Sequence, residues 1–107
     1  MKSDWDELNV SVLEWAAAKG ILRGSTAMTQ LSKTIEECAE VMRELDNPDP
    51  DFDAIKSEYG DVLVTLIIGM ELAGMDSTSA LRAAYAKISR RTGQMQGGVF
   101  VKDQQEQ

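Results

Sequence analysis

The sequence contains no histidine and only one cysteine, and these two shortages narrow the chemistry it can support. Without an imidazole there is no Ser-His-Asp triad, no Cys-His nucleophile pair and no histidine metal ligand. With Cys38 alone, an intramolecular disulfide is excluded, and a reducing compartment suits the chain best. Carboxylates are left as its main chemical resource.

Basic residues and long apolar runs are also scarce. Eleven Lys and Arg residues are outnumbered by eighteen Asp and Glu residues, which gives a net charge of −7, whereas binding to a nucleic-acid backbone needs clustered basic side chains. The longest apolar run, 62–70, is interrupted by Thr65 and Gly69 and is about half as long as a membrane span. The N-terminus turns acidic where a signal peptide would need an apolar core. We therefore expect a cytoplasmic protein with no nucleic-acid partner and no membrane association.

Apolar residues at helical spacing predict an all-α fold. The chain of 107 residues is long enough for one domain, which we assign to residues 1–107. Capping residues, glycines and prolines place four helices at about 4–19, 26–45, 51–73 and 76–91, followed by a tail over 94–107. The prediction is a four-helix, bundle-like subunit with a short extended C-terminal tail and no strand pair.

The second predicted helix carries two regular stripes. We expect its apolar stripe to be the core face of the subunit, because these positions follow steps of three and four: Met28, Leu31, Ile35, Cys38, Met42 and Leu45. A polar stripe with the same steps consists of Gln30, Lys33, Glu37, Glu40 and Glu44. The second half of the third helix is apolar nearly all round, which predicts that it forms a subunit interface.

Two pairs of acidic residues stand on neighbouring helices. Glu37 and Glu40 share one helical face, as do Glu58 and Asp61, and a Pro-rich connection makes the two helices antiparallel neighbours. Like charges placed this way repel unless a cation lies between them. Carboxylate-only sites favour hard cations such as Mg²⁺ or Mn²⁺. The other interpretation of the four carboxylates is a solvated acidic surface.

Basic side chains lie near both ends of this pattern. Lys33 is one helical turn before Glu37, and the last helix carries Lys87, Arg90 and Arg91 at steps of three and four. Such side chains can clamp phosphate oxygens, or they can serve solubility and the helix dipole. Trp5 and Trp15 are interpreted as packing residues rather than platforms for base stacking.

Together these residues resemble the signature of a known family. Gln30, Lys33, Glu36-Glu37-x-x-Glu40, Glu58-x-x-Asp61 and Lys87-x-x-Arg90-Arg91 are similar to the motifs of the MazG-like nucleotide pyrophosphohydrolases, in the all-α NTP pyrophosphatase superfamily. The resemblance covers about residues 26–93. A departure is Tyr85-Ala86, where many members have an asparagine before the lysine; it leaves the recognition of base and sugar open.

The resemblance implies a role for each residue of the pattern. Glu37, Glu40, Glu58 and Asp61 would bind Mg²⁺, with Mn²⁺ as a possible substitute. Lys33, Lys87 and Arg90 or Arg91 would meet the triphosphate, with Gln30 near the nucleotide. By the same resemblance Glu36 would be an auxiliary acidic residue. Glu37 or Glu36 is the candidate general base, and a residue that coordinates Mg²⁺ is the poorer base of the two.

The expected reaction is hydrolysis of a nucleoside triphosphate, typically a deoxynucleotide, to the monophosphate and pyrophosphate. The family also implies a homodimer or homotetramer, and a role either in cleansing damaged nucleotides or in controlling the levels of the nucleotide pool. Two alternatives stay open: a narrower dUTPase, dCTPase or phosphoribosyl-ATP pyrophosphohydrolase, and a non-catalytic acidic helical module that binds a protein partner.

Overall fold

A computed structural model describes residues 3–103, so residues 1–2 and the end of the predicted tail, 104–107, lie outside it. The described part is mostly helical and has the following elements: α1 (Asp4–Ala18), α2 (Ile21–Gly24), α3 (Ala27–Leu45), α4 (Phe52–Leu72), α5 (Ser77–Ile88), β1 (Gly93–Gln96) and β2 (Val99–Lys102). Its residues fall into two compact units, the first ending at Ser77 and the second beginning at Thr78. The single domain expected over 1–107 stays a prediction.

The first three long helices begin at side-chain caps. Ser3 Oγ accepts from the Asp6 amide, and Thr26 Oγ1 accepts from the Thr29 amide at 3.1 Å. Asp51 Oδ1 accepts from the amides of Asp53 and Ala54 at 3.0 and 3.2 Å. Each cap satisfies donors that have no partner within the helix.

The prediction of four helices is wrong by one short helix. The segment after α1, expected to be a connection, forms the single turn α2. Gly20 adopts a φ of 78°, a left-handed conformation that ends α1 and lets a new turn start at once.

Helices α3 and α4 form an antiparallel pair, the most extensive contact between helices in the first unit. Buried Thr34 and Thr65 are joined across it by a hydrogen bond of 2.7 Å between their hydroxyl oxygens. Nearer the C-terminus of α3 than this bond, Glu40 of α3 lies close to Glu58 of α4. The buried apolar residues of the unit come from α1, α3 and α4: Ala16, Val41, Ile55, Ile67 and Ile68.

The apolar stripe of α3 does not form the core of the chain, so that prediction is wrong. Met28, Leu31, Ile35, Met42 and Leu45 are between 51 and 74% exposed, and Cys38 is exposed as well. The face turned to α4 is instead the one that carries Thr34, Glu37 and Val41. A single neighbouring helix covers only one face of α3, and here the polar stripe takes that place.

The second unit differs from the sequence prediction at two points. Helix α5 ends at Ile88 rather than at Arg91, and the predicted lack of a strand pair is wrong, because β1 and β2 form an antiparallel hairpin with Gln96 opposite Val99. Gly97 and Gly98 make its two-residue turn with φ values of 58° and 85°. Two consecutive positive φ angles suit the twist of such a hairpin and favour glycine.

No single helix within residues 3–103 is long and apolar enough to cross a membrane. Helices α4 and α5 meet the length and hydropathy of a span only when they are counted together as a bent pair.

Two glycines of α4 predict opposite effects of substitution by alanine. A Cβ on Gly60 meets nothing within 4 Å, so Gly60→Ala should stabilise the chain by about 0.5–1 kcal/mol through helix propensity. A Cβ on Gly69 would lie 3.3 Å from the Gln30 Cβ, which the α3 backbone holds in place, so Gly69→Ala should lower stability. Urea unfolding of both variants at equal protein concentration checks the ranking, and a stabilised Gly69→Ala variant would contradict it.

Candidate metal centre

Three carboxylates converge at the contact between α3 and α4. One oxygen each from Glu37, Glu40 and Glu58 lies within 4.8 Å of the other two, and all three side chains are partly buried. We call these three residues the carboxylate cluster. Glu37 and Glu40 reach it from consecutive turns of α3, and Glu58 reaches it from the second turn of α4.

The cluster contains two polar atoms without a hydrogen bond. Glu37 Oε2 and Glu58 Oε2 are buried and have no partner within the described structure, and the Glu37 side chain is only 14% exposed. Buried carboxylate oxygens are normally satisfied, because leaving them unpaired is costly. Two such oxygens on two members of one group of acids suit a cation as their partner.

The surroundings favour the protonated forms of two of these acids. Burial raises the pKa of Glu37 above its ordinary value, and the charges of Glu40 and Asp61 and a hydrogen bond with Glu40 act in the same direction, whereas Lys33 lowers it. A hydrogen bond with Glu40 is the largest cause that raises the pKa of Glu58, followed by burial and the charges of Glu40, Asp61 and Glu37. Without a bound cation, the surroundings of Glu37 and Glu58 therefore disfavour the negatively charged forms of both side chains.

These shifts predict that the metal-free protein gains stability on mild acidification. Both folded-state pKa values lie above 4.5, the ordinary value, so over that interval the folded state binds more protons than the unfolded state. The stabilisation from protonation is complete below about pH 4.5 and is lost as pH rises through the folded pKa values. Thermal unfolding in EDTA should thus show a higher midpoint near pH 5 than at pH 7.5. A midpoint that rises steadily from pH 5 to 7.5 would contradict the shifts.

The donor set fits a hard divalent cation. All the candidate ligand atoms are carboxylate oxygens, which suit Mg²⁺ and Mn²⁺, and an ion would accept electron pairs from the two oxygens that lack a hydrogen bond.

The other predicted metal and base residues lie around the cluster. Asp61 is not among the three that converge and is exposed, although its charge acts on both Glu37 and Glu58. Glu36 is exposed on a different face of α3 and lines a cavity described below.

The predicted phosphate-binding residues are divided between the two units. Lys33 Nζ is 4.0 Å from Glu37 Oε1, and Gln30 is half-buried and donates from Nε2 to Ser25 Oγ at 3.0 Å. Lys87 lies in the last turn of α5, whereas Arg90 and Arg91 come after the end of this helix. The prediction that all three lie at helical spacing on one helix is therefore wrong. Arg90 Nε donates to the Ala86 carbonyl at 3.1 Å.

Sequence reasoning missed two residues near the site. Arg43 Nη2 lies 3.9 Å from Glu40 Oε1 in an exposed ion pair whose spacing of three residues could have revealed it. Trp15, interpreted as a packing residue, is 49% exposed and lines the same cavity as Glu36. No local pattern in the sequence connects α1 with α3, so this second residue could not have been found without the fold.

Comparison with known proteins adds the family. The MazG nucleotide pyrophosphohydrolase domain matches residues 25–95, which is most of the chain and includes the whole carboxylate cluster. Neither the curated proteins nor the solved structures contain a match. The family predicted from the motifs is confirmed: the chain belongs to the MazG nucleotide pyrophosphohydrolase family.

Proposed function

We propose that the chain is a Mg²⁺-dependent hydrolase that converts a nucleoside triphosphate, in particular a deoxynucleotide, into the monophosphate and pyrophosphate. The observation that carries the proposal is the convergence of three carboxylates, two of them with a buried unpaired oxygen, in a chain of the MazG family. Mg²⁺ is the proposed ion and Mn²⁺ its possible substitute.

Four residues would hold the ion: Glu37, Glu40 and Glu58 through the cluster, and Asp61 from the exposed side. When bound, a divalent cation neutralises phosphate oxygens and stabilises the pyrophosphate that leaves. The carboxylates by themselves repel a triphosphate, so nucleotide binding should depend strictly on the ion.

The remaining residues would bind phosphate and move one proton. In the reaction water adds to a phosphorus of the α–β linkage, the bridging P–O bond breaks, and the water gives up a proton to a carboxylate. Glu37 is one candidate for this base, although an ion bound to it would lower its pKa and make it the weaker proton acceptor of the two. Glu36 is the other. Lys33, Lys87 and Arg90 or Arg91 would bind the triphosphate, and Gln30 would lie near the nucleotide.

We also propose that a second copy of the chain covers the apolar stripe of α3, giving a homodimer or a dimer of dimers. The stripe continues into an apolar cavity of about 190 Å³ between α3 and α4, lined by Leu31, Leu66 and Met70 among others. An apolar surface of this extent is unusual on a free subunit and typical of an interface. Association would bury it without using the face of α3 that carries the cluster.

Pyrophosphate release tests the proposed activity. The protein is incubated with Mg²⁺ and each of the four common dNTPs, dUTP and phosphoribosyl-ATP, alongside a variant with Glu40→Gln and Asp61→Asn. We expect release by the natural chain and none by the variant. If neither releases pyrophosphate from any nucleotide, the rival hypothesis, a non-catalytic acidic helical module that binds a protein partner, replaces the proposal.

A further inference from the structure

A cavity of about 320 Å³ lies beside the carboxylate cluster, in the first unit. Apolar side chains of α2 and α4 line it, among them Ile21, Val64 and Ile68. Trp15 of α1 and the charged pair Lys33 and Glu36 of α3 line it as well. The remaining lining residues are polar and uncharged: Thr29, Gln30, Ser32 and Thr65. The cavity therefore combines apolar, aromatic and polar side chains with one pair of opposite charges.

The cavity and the carboxylate cluster share a neighbour, Lys33. Lys33 lines the cavity and also reaches to 4.0 Å from Glu37 Oε1. Glu36 is the neighbour of Glu37 in the chain but lies on a different face of α3, so its exposed carboxylate is outside the cluster. A molecule whose phosphates reach the cluster thus finds the cavity one side chain away.

From this arrangement we infer that the cavity binds the nucleobase, with Trp15 stacking on the ring and Glu36 selecting bases that carry an exocyclic amino group. The inference rests on the proposed function and specifies its substrate class. The volume is within the range of small-molecule pockets. An indole face is a platform on which any base stacks.

The chemistry of Glu36 gives the selectivity. An ionised carboxylate only accepts hydrogen bonds, so it pairs with the amino group of cytosine and repels the oxygen that uracil carries at the same ring position. We expect the chain to prefer dCMP over dUMP, and dCTP over dUTP, by about tenfold, which is the lower part of the range for one good base contact. Lys33, which also lines the cavity, keeps its proposed role of binding the phosphates.

The first test is a titration with the monophosphates dCMP and dUMP in the presence of Mg²⁺, where no turnover occurs because neither has an α–β linkage. The two tryptophans give two indole N–H signals in a ¹⁵N-labelled sample, and Trp5→Phe assigns them. The Trp15 signal should move with dCMP while the Trp5 signal stays, and dUMP should bind about tenfold more weakly. If the Trp15 signal does not move with either nucleotide, the inference is wrong.

The second test uses Glu36→Gln, an exposed substitution that should not disturb folding. A glutamine amide both donates and accepts, so the preference for dCMP over dUMP should fall to within about threefold. Glu71→Gln removes the same charge at an exposed position of α4 outside the cavity and should keep the preference. An unchanged preference in Glu36→Gln would overturn the inference.

The same variant separates a role in base recognition from a role as general base. A recognition residue changes the ratio of kcat/KM for dCTP and dUTP, whereas a general base lowers kcat for both equally. An equal loss with an unchanged ratio would assign Glu36 to proton transfer and contradict base selection. Failure of this inference with pyrophosphate still released leaves the proposed function standing, and a moving Trp15 signal without any pyrophosphate release rejects the function alone.

Discussion

Glu58→Gln is expected to lower pyrophosphate release by at least about a hundredfold and, at the same time, to raise the thermal stability of the metal-free protein. The two effects have one cause. Glu58 has a buried oxygen without a partner, and its pKa is raised by a hydrogen bond with Glu40, by burial and by neighbours of the same charge. Neutralising it removes repulsion from the free protein, but it also removes a ligand from the proposed ion.

Thermal unfolding with and without Mg²⁺ measures the second effect. The natural chain should be stabilised by millimolar Mg²⁺ at pH 7.5, because an ion that binds only the folded state raises its unfolding temperature. Glu58→Gln should start from a higher midpoint and respond much less to the ion. Glu71→Gln, exposed on the same helix, should behave like the natural chain. A Glu58→Gln variant that is less stable without metal, or fully active, would show that this carboxylate has a structural role instead.

Ile35→Glu is expected to weaken self-association by more than about a hundredfold and to leave the folding of the subunit intact. Ile35 is 67% exposed at the middle of the apolar stripe, so the charge meets solvent in the free subunit but an apolar surface in the proposed interface. Had the stripe been the core, as its periodicity predicts, the same change would unfold the chain. The substitution therefore separates the two interpretations.

Sedimentation across a range of concentrations, together with circular dichroism, gives both measurements. Ser11→Glu places the same charge at an exposed position of α1, outside the stripe, and should sediment like the natural chain. A natural chain that is monomeric at all concentrations would contradict the proposed interface, as would an Ile35→Glu variant that associates equally well.

Helix boundaries and the acidic pairs were predictable because their signals are local. Caps at Thr26 and Asp51 place the starts of two helices, and the spacing of three residues places Glu37 and Glu40 on one helical face. The Pro-rich connection then requires α4 to run back along α3. These are rules about neighbours in sequence, and they suffice to bring Glu58 to the other two carboxylates.

Which face of α3 is buried was not predictable, because periodicity shows that a helix has an apolar stripe but not what covers it. Glu37 and Val41 share the face turned to α4. Helices do not normally pack through acidic side chains, and such a contact is understandable here only with the proposed ion between them. The cavity lined by Trp15 could not be predicted from the sequence either, because its residues come from four helices.

The two errors near the C-terminus have local causes. Ser89 Oγ and Arg90 Nε both donate to the Ala86 carbonyl, so side chains satisfy the end of α5 where the sequence could have continued as a helix. The strand β1 has the sequence Gly-Gln-Met-Gln, which has little strand propensity of its own. Its partner Val99–Lys102 and the Gly97-Gly98 turn were visible, and it is the pairing that makes β1 extended.

The central claim is that the carboxylate cluster serves cleavage between the α- and β-phosphates. The most direct test is ³¹P NMR of dCTP incubated with the protein and Mg²⁺, and with the protein and EDTA. We expect dCMP and pyrophosphate in equal amounts, no inorganic phosphate, and no reaction in EDTA. The appearance of dCDP with inorganic phosphate, or equal turnover in EDTA, would contradict the account.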